Sequence, residues 1–246
     1  MRIVGVIPAR YKSSRFPGKP LIRLNGIPMI IRVAQIVEKA LGRENTYVAT
    51  DDLQIKNLVE SFGFNVTMTS EDCLTGTDRV YDFSKKVDAD IYVNIQGDEP
   101  LLDFNEIVKI ANVKKNNFDF VINGMCGFTD KEDPNNVNIP KVIVNKSNKL
   151  IYMSRLPVPG SKTVDSADAK DFKKQVCIYA FNKKELRVFG EQTEKSEIEK
   201  HEDIEILRFF DLNIPILMVE TKESSLAVDV IEDVAKVEEV LKKVEN

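Results

Sequence analysis

Apolar runs alternate, along the first half of the chain, with stretches in which apolar residues recur at helical spacing. Residues 2–8 are rich in Ile and Val and predict a buried strand. Over 28–41 apolar residues recur every three or four positions, which predicts an amphipathic helix. Such alternation with short connections is typical of a mostly parallel sheet with helices on both faces, so we expect a Rossmann-like α/β fold. The same pattern predicts strands at 47–50, 65–68, 91–95 and 119–122 and helices at about 55–62, 77–87 and 104–115.

From about residue 127 the pattern changes to paired strands. Strands at 141–144 and 150–153 flank the polar residues 145–148, which predicts a hairpin. We expect this part to form a smaller mixed β and hairpin subdomain within a single domain that spans residues 1–246. The remaining predicted elements are an exposed loop over 157–174, strands at 176–181 and 214–220, and helices at 183–189, about 198–212 and from about 231.

The composition is that of a globular chain, with 246 residues of which 43% are hydrophobic and 30% charged. Charged residues interrupt the apolar stretches well before the roughly 20 residues that a membrane span needs. The apolar start is too short for a signal peptide, and three widely spaced cysteines fit reduced thiols but no zinc pattern. We therefore expect a cytoplasmic chain with no membrane partner.

His201 is the single histidine of the chain. Catalytic triads and metal sites built on histidine are therefore not expected, and any metal has to be a hard cation on carboxylate oxygens. The charged neighbours Glu199, Lys200 and Glu202 predict that His201 lies on a solvated helix face. Cys73 has no base near it in the sequence, so catalysis by its thiolate is not expected either.

The net charge of −4 conceals a strong asymmetry along the chain. Residues 1–37 contain seven Lys and Arg and no acidic residue, so this segment carries +7 and the rest carries −11. Such a segment is either a solvated face or an anion site. Because no RNA-binding aromatic motif accompanies it, we expect no nucleic-acid partner.

One loop and two aspartates are the candidates for an anion or metal site at the end of the predicted sheet, where ligands bind in open α/β folds. The loop over 8–21 combines cations, hydroxyls and a glycine that could wrap a triphosphate, and it matches neither a Walker A loop nor a G-x-G-x-x-G motif. Asp98 follows a buried strand, where it is either a site carboxylate or part of a Gly-Asp turn. Asp229, with Glu232 three residues later, is favoured by the residues alone as a helix N-cap.

The loop over 8–21 also carries a recognisable series of motifs. Pro8-Ala9-Arg10, Ser13-x-Arg15 and Pro17-Gly18-Lys19-Pro20-Leu21 resemble the nucleotide-binding signature of cytidylyltransferases, most closely the 3-deoxy-manno-octulosonate (Kdo) cytidylyltransferase family. The resemblance continues, in order, over nearly the whole chain. Further matching segments are 49–52, 75–79, 94–100, 133–137, 154–159, 178–181, 205–208 and 228–233.

The resemblance implies Mg²⁺-dependent transfer of CMP from CTP to the anomeric hydroxyl of a 3-deoxy-ulosonic sugar acid, with release of pyrophosphate. It assigns nucleotide binding to residues 1–126, acceptor binding and homodimer formation to residues 127–246, and Mg²⁺ to Asp98 and Asp229. These two carboxylates and Lys19, near the departing phosphates, are the implied catalytic residues. Nucleotide contacts are implied for Ala9, Arg10, Ser13, Arg15, Lys19, Ala49, Asp51, Thr77 and Arg79, and acceptor contacts for Gln96, Arg155, Gln175, Tyr179 and Glu205.

Four departures from the family pattern fall on the acceptor side. Cys73 and Gln175 replace histidines, Ile206 replaces a glutamine, and Val230-Ile231 stands where the family has Thr-Pro. The sequence therefore constrains the nucleotide more closely than the acceptor. Kdo is the first expectation; a modified octulosonate, another acidic sugar, a non-sugar acceptor and a catalytically silent CTP-binding relative stay open, and so does a purely surface role for Arg155.

Overall fold

A mixed sheet of nine strands is the core of the protein. The computed structural model describes residues 1–12, 16–130, 132–160, 162, 169–222, 226–228 and 230–245. In chain order the strands are β1 (Ile3–Ala9), β2 (Arg23–Leu24), β3 (Ile27–Pro28), β4 (Thr46–Thr50), β5 (Asn65–Met68), β6 (Ile91–Ile95), β7 (Val121–Gly127), β8 (Lys141–Val144), β9 (Leu150–Ser154), β10 (Lys173–Asn182) and β11 (Ile216–Glu220).

The main sheet has the order β11-β7-β10-β6-β1-β4-β5. β1 pairs in parallel with β4 and β6, and the pairs β4–β5 and β7–β11 are also parallel. Only β10 runs antiparallel to both of its neighbours in this row. This arrangement confirms the predicted Rossmann-like, mostly parallel sheet.

Helices cover both faces of the sheet, as predicted. Val93 of β6 and Tyr92, the preceding residue, belong to two different hydrophobic clusters, because successive side chains of a strand point to opposite faces. The cluster of Val93 includes the helical residues Ile31, Ile55 and Ile110, and the cluster of Tyr92 includes Val80, Leu186 and Phe209. No helix in the described ranges is long and apolar enough to cross a membrane. The helices are α1 (Met29–Leu41), α2 (Leu53–Ser61), α3 (Gly76–Ser84), α4 (Phe104–Asn116), α5 (Lys183–Gly190), α6 (Glu197–Glu202), α7 (Leu207–Asp211) and α8 (Glu232–Glu245).

The predicted hairpin is present as β8 and β9. It is an extension of the main sheet, because β8 also pairs with β10 at Lys141 and Lys174. The separate two-stranded sheet is formed by β2 and β3, which the sequence analysis did not predict. Asn25 and Gly26 between them both have positive φ, at 47° and 83°, as a two-residue hairpin turn requires. The Asn-Gly pair was the available sequence signal.

The polar helix predicted over 198–212 is wrong, because two short helices occupy this region. Ser196 begins α6 through a capping box with Glu199. The first helix ends at Asp203, whose φ of 49° is left-handed and whose N–H donates to the carbonyl of Glu199. The chain then turns before α7, and this turn carries Glu205 toward the main sheet. Within the predicted loop over 157–174, residues 161 and 163–168 lie outside the described residues.

The start of α2 offers a direct test of local stability. Asp52 is its N-cap, and its Oδ1 accepts from the N–H groups of Gln54 and Ile55 at 2.8 and 3.0 Å. We expect Asp52→Ala to lower the free energy of unfolding by about 1 kcal/mol, because those donors lose their partner. Urea denaturation followed by circular dichroism measures the change. Asp52→Asn, which keeps a capping oxygen, is expected to stay close to the wild type, and equal loss in both variants would contradict the capping role.

Candidate active site

A cavity of about 230 Å³ opens at the carboxyl ends of β1 and β6. The two strands are neighbours, so the loops that follow them meet at one edge of the sheet. Gly97 lets the loop after β6 lie close to the end of β1, since a Cβ at this position would be 3.3 Å from the carbonyl oxygen of Pro8. Six of the predicted site residues line the cavity: Ala9, Arg10, Lys19, Arg79, Gln96 and Asp98.

Lys19 and Asp98 form an ion pair in the wall of the cavity. The Nζ of Lys19 lies 2.6 Å from Oδ2 of Asp98 and also donates to the carbonyl oxygen of Val228 at 3.0 Å. The N–H of Val228 donates to the carbonyl oxygen of Asp98, so three distant segments meet here. The side chains of Lys19 and Asp98 are 18% and 27% exposed, which leaves both charges accessible to a ligand.

The position of Lys19 follows from the preceding loop. Gly18 has a φ of +70°, a left-handed conformation that favours glycine, and its N–H donates to the carbonyl of Tyr11 at 2.9 Å. This bond closes the loop, and a short 3-10 helix at Lys19–Leu21 follows. The bond thus holds Gly18 next to Tyr11, and Lys19, the residue after Gly18, lies beside Asp98.

Arg79 supplies a fixed cation to the same cavity. It is 3% exposed, and its guanidinium donates to Oδ2 of Asp51 at 3.3 Å and to the hydroxyl of Thr69 at 2.6 Å. Asp51 thus holds Arg79 in the cavity wall, while its neighbour Asp52 serves as the cap of α2. A direct contact between Asp51 and a nucleotide stays a prediction.

Glu205 approaches the cavity from the turn before α7. Its Oε2 accepts from the N–H of Thr77 at 3.0 Å, and its Oε1 accepts from Nε2 of Gln96 at 3.4 Å. Burial raises the pKa of this carboxyl, against the opposing effect of hydrogen bonds from Thr77 and Thr75. Two predicted acceptor residues, Gln96 and Glu205, are therefore joined at one side of the cavity, and the predicted nucleotide contact Thr77 is bonded to one of them.

Gln175 and Tyr179 form a buried polar layer beside this edge. They flank an irregularity in β10 between Val176 and Tyr179. The Nε2 of Gln175 donates to Oδ1 of Asn123 at 3.0 Å and lies 3.5 Å from the hydroxyl of Tyr179. Burial raises the pKa of Tyr179, so its hydroxyl stays protonated. Tyr179 is paired across the strands with Asn94, whose buried amide has no hydrogen-bond partner in the described part of the chain.

Comparison with known proteins decides the family. A family model described as "Cytidylyltransferase" matches residues 4–218. The chain belongs to the cytidylyltransferase family. It is a nucleotidyltransferase, and the family resemblance that its motifs indicated is confirmed.

Relatives of this cytidylyltransferase match it along nearly their whole length. The 3-deoxy-manno-octulosonate cytidylyltransferase of Bdellovibrio bacteriovorus is 38% identical over 243 residues, which cover 98% of each chain. The 8-amino-3,8-dideoxy-manno-octulosonate cytidylyltransferase of Shewanella pealeana is 35% identical over 240 residues, or 95% of this chain and 96% of that protein. A solved CMP:2-keto-3-deoxy-manno-octonic acid synthetase, complexed with CTP, has a TM-score of 0.89 and 32% identity and covers 99% of both chains.

Not every predicted site residue of the cytidylyltransferase lies at the cavity. The guanidinium of Arg155 donates to the carbonyl oxygens of Val137 and Asp203 at 2.9 and 2.8 Å, and to that of Glu202. Ala49 is buried in β4, opposite Pro8 of β1. Ser13, Arg15 and Asp229 lie outside the described residues.

Sequence reasoning missed one residue that supports the cavity wall. Asp78 accepts from the N–H and the hydroxyl of Thr75 at 2.9 and 2.7 Å, in a capping box at the start of α3. This box fixes Thr75 and Gly76, both of which line the cavity. The spacing of Thr75 and Asp78 is that of a capping box, so a search for helix caps could have found it.

Proposed function

We propose that this cytidylyltransferase transfers CMP from CTP to the anomeric hydroxyl of Kdo and releases pyrophosphate. The observation that carries the proposal is the partly exposed pair of Lys19 and Asp98 in a cavity at the carboxyl ends of β1 and β6. It places a cation and a carboxylate together where ligands bind in open α/β sheets. The choice of Kdo as the acceptor is supported by the similarity to a full-length relative that is named 3-deoxy-manno-octulosonate cytidylyltransferase.

The cationic side chains of the cavity suit a triphosphate. Transfer of a nucleotidyl group needs in-line positioning and charge neutralisation more than covalent help from the protein. Arg10 and Arg79 line the cavity as cations, and the Nζ of Lys19 can turn from Asp98 toward the departing phosphates. Ala49, Asp51 and Thr77 belong to the proposed nucleotide set as well. Ser13 and Arg15, which lie outside the described residues, complete it.

The chemistry of Asp98 fits Mg²⁺. Its carboxylate offers hard oxygen ligands at the cavity, and Mg²⁺ is usually bound by one or two carboxylates together with phosphates and water. We propose Asp98 and Asp229 as the protein ligands; Val228, the residue before Asp229, is bonded to both Asp98 and Lys19. When bound, the metal supplies charge neutralisation at the α-phosphorus and a lower pKa for the attacking hydroxyl.

The acceptor side is proposed to be the edge that holds Gln96 and Glu205. The amide and the carboxylate offer both donors and acceptors to a polyhydroxylated sugar, and Gln175 and Tyr179 extend this polar edge. A second candidate acceptor is 8-amino-3,8-dideoxy-manno-octulosonate. The observation that favours it is Glu205, a carboxylate that could pair with an ammonium group, and it is supported by the similarity to the Shewanella protein. A contact between Arg155 and the acceptor stays a prediction.

Pyrophosphate release by the purified protein with CTP, Mg²⁺ and a panel of acidic sugars tests the proposal. We expect the highest kcat/KM with Kdo, no release without an acceptor, and loss of activity with a chelator that Mg²⁺ restores. A higher kcat/KM with the 8-amino sugar selects the second candidate. CTP binding without release of pyrophosphate on any acceptor would contradict the proposed function and indicate a silent relative.

We further propose a cytoplasmic homodimer that supplies a bacterial surface polysaccharide or lipid. The thiols of Cys73 and Cys177, which form no disulfide within the described residues, support a reducing compartment. Ile151 and Leu156, which are 49% and 65% exposed on and beside the hairpin, support contact with a second copy.

A further inference from the structure

A buried cluster of charged side chains joins the start of α3 to α6 and α7. Arg208 is 1% exposed, and its Nε and Nη2 donate to the two carboxylate oxygens of Glu199 at 2.7 and 2.8 Å. Its Nη1 and Nη2 donate to Oδ1 and Oδ2 of Asp78 at 2.7 and 3.2 Å. The guanidinium also lies 3.8 Å from the centroid of the Phe189 ring. The planar, forked guanidinium therefore holds Asp78 and Glu199 in fixed relative positions.

Asp78 extends this cluster to the cavity wall. The same carboxylate that is bonded to Arg208 accepts from the N–H and the hydroxyl of Thr75. Thr75 and the following Gly76 line the cavity, whereas Arg208 is enclosed behind them. A shift of Asp78 would therefore move this part of the wall.

Arg208 is also linked to the cavity through its own segment. Its N–H donates to the carbonyl oxygen of Glu205, three residues earlier, at 3.1 Å. The carboxylate of Glu205 in turn accepts from the N–H of Thr77. Segments 75–78 and 205–208 are thus joined twice. Arg208 is bonded to Asp78 deep in the protein, and Glu205 is bonded to Thr77 and to the cavity residue Gln96.

We propose that Arg208 is a positioning residue that sets where Glu205 stands on the acceptor side of the cavity. The inference rests on the proposed function. Lys19 and Asp98 are held by each other and by the backbone of Val228, and no described contact joins them to Arg208. Arg79, the cation next to Asp78 in the chain, is held separately by Asp51 and Thr69. We therefore expect loss of Arg208 to act on the acceptor through Glu205, while the charged residues of the phosphate side keep their own partners.

Two substitutions in the same cluster separate positioning from general stability. Arg208→Met keeps much of the side-chain volume and removes the hydrogen bonds of the guanidinium to Asp78 and to Glu199. Glu199→Gln removes the other carboxylate of the cluster but leaves the link from Arg208 to Asp78. At saturating CTP we expect Arg208→Met to lower kcat/KM for the acceptor by about 10- to 100-fold, since small displacements of positioning groups have effects of this size. CTP affinity, measured by calorimetry, is expected to change less than about threefold in either variant, and Glu199→Gln is expected to keep kcat/KM for the acceptor within about threefold.

The control variant Glu199→Gln also shows which results would contradict the positioning role of Arg208. An equal loss of kcat/KM in both variants, or a loss of CTP affinity that parallels the loss for the acceptor, would overturn the positioning role. Where thermal melting shows that Arg208→Met does not fold, Arg208→Lys takes its place under the same criteria, because a single ammonium cannot span both carboxylates as the guanidinium does. Wild-type protein that turns over no acceptor would fail the proposed function itself, whereas an active wild type with unchanged Arg208 variants would fail this inference alone.

Discussion

Asp98→Asn is expected to lower kcat for pyrophosphate release by about 10³-fold, since preorganised charge at a reacting phosphate has effects of this size. The substitution keeps the shape of the side chain and removes the charge that is paired with Lys19 at 2.6 Å. It also removes the hard carboxylate ligand proposed for Mg²⁺. Steady-state rates with CTP, Mg²⁺ and the preferred acceptor measure the effect, and thermal melting shows whether the fold is retained.

Asp88→Asn is the matched control for this substitution. Asp88 precedes the opposite end of β6, where its side chain is 83% exposed and paired with Lys183. Surface substitutions of this kind have small effects, so we expect kcat to stay within about twofold of the wild type. If Asp98→Asn kept more than about a tenth of the wild-type rate, a metal-binding role for Asp98 would be contradicted.

Lys19→Met is expected to lower kcat/KM for CTP by about 10²-fold. Removing the ammonium leaves Asp98 without its cation and leaves the departing phosphates with less positive charge. Because the effect falls on the phosphates, affinity for CTP should decrease far more than affinity for CMP. Calorimetric titration with both nucleotides measures this difference independently of turnover.

Lys12→Met separates a specific role of Lys19 from the general positive charge of the segment. Lys12 lies on the same loop, but its side chain is 89% exposed and 3.7 Å from Glu71, itself exposed. We expect its loss to change CTP affinity less than about twofold. Similar losses in both lysine variants, or equal weakening of CTP and CMP binding by Lys19→Met, would mean that Lys19 has no specific phosphate contact.

The parallel part of the fold was predictable because its periodicity is local. β1 needs only a run of apolar residues, and α1 needs only apolar positions at helical spacing. In the region of α6 and α7, the burial of Arg208 was missed because no local signal shows that its guanidinium is paired with Asp78, a residue 130 positions away. Without such a partner, a run of charged residues predicts a solvated helix. His201, which is exposed on α6, agrees with that prediction.

The site was predictable where it follows from strand order. Arg10 and Asp98 follow β1 and β6, and adjacent parallel strands bring their carboxyl ends together. The local alternatives for Asp98, a turn residue or a site carboxylate, are separated only by the tertiary contact with Lys19. On the acceptor side, no sequence pattern shows that the guanidinium of Arg155 is bonded to backbone carbonyls.

Two of the departures from the family pattern, Cys73 and Gln175, have surroundings that the structure describes. Cys73 lines the cavity, and burial raises the pKa of its thiol, so it contributes a neutral group where the family resemblance leads us to expect a histidine. Gln175 is bonded to Asn123 and lies beside Tyr179. These two positions therefore present different hydrogen-bonding groups from the family's histidines. Since unpaired buried polar groups strongly disfavour a mismatched ligand, acceptor choice is expected to depend on them.

Mass spectrometry of the product formed by the wild-type protein from CTP and Kdo, with Mg²⁺ present, is the most direct test of the proposed reaction. We predict a CMP-linked sugar and one pyrophosphate for each CTP consumed. Intact CTP after long incubation, or consumption of CTP with no CMP-linked product, would contradict it.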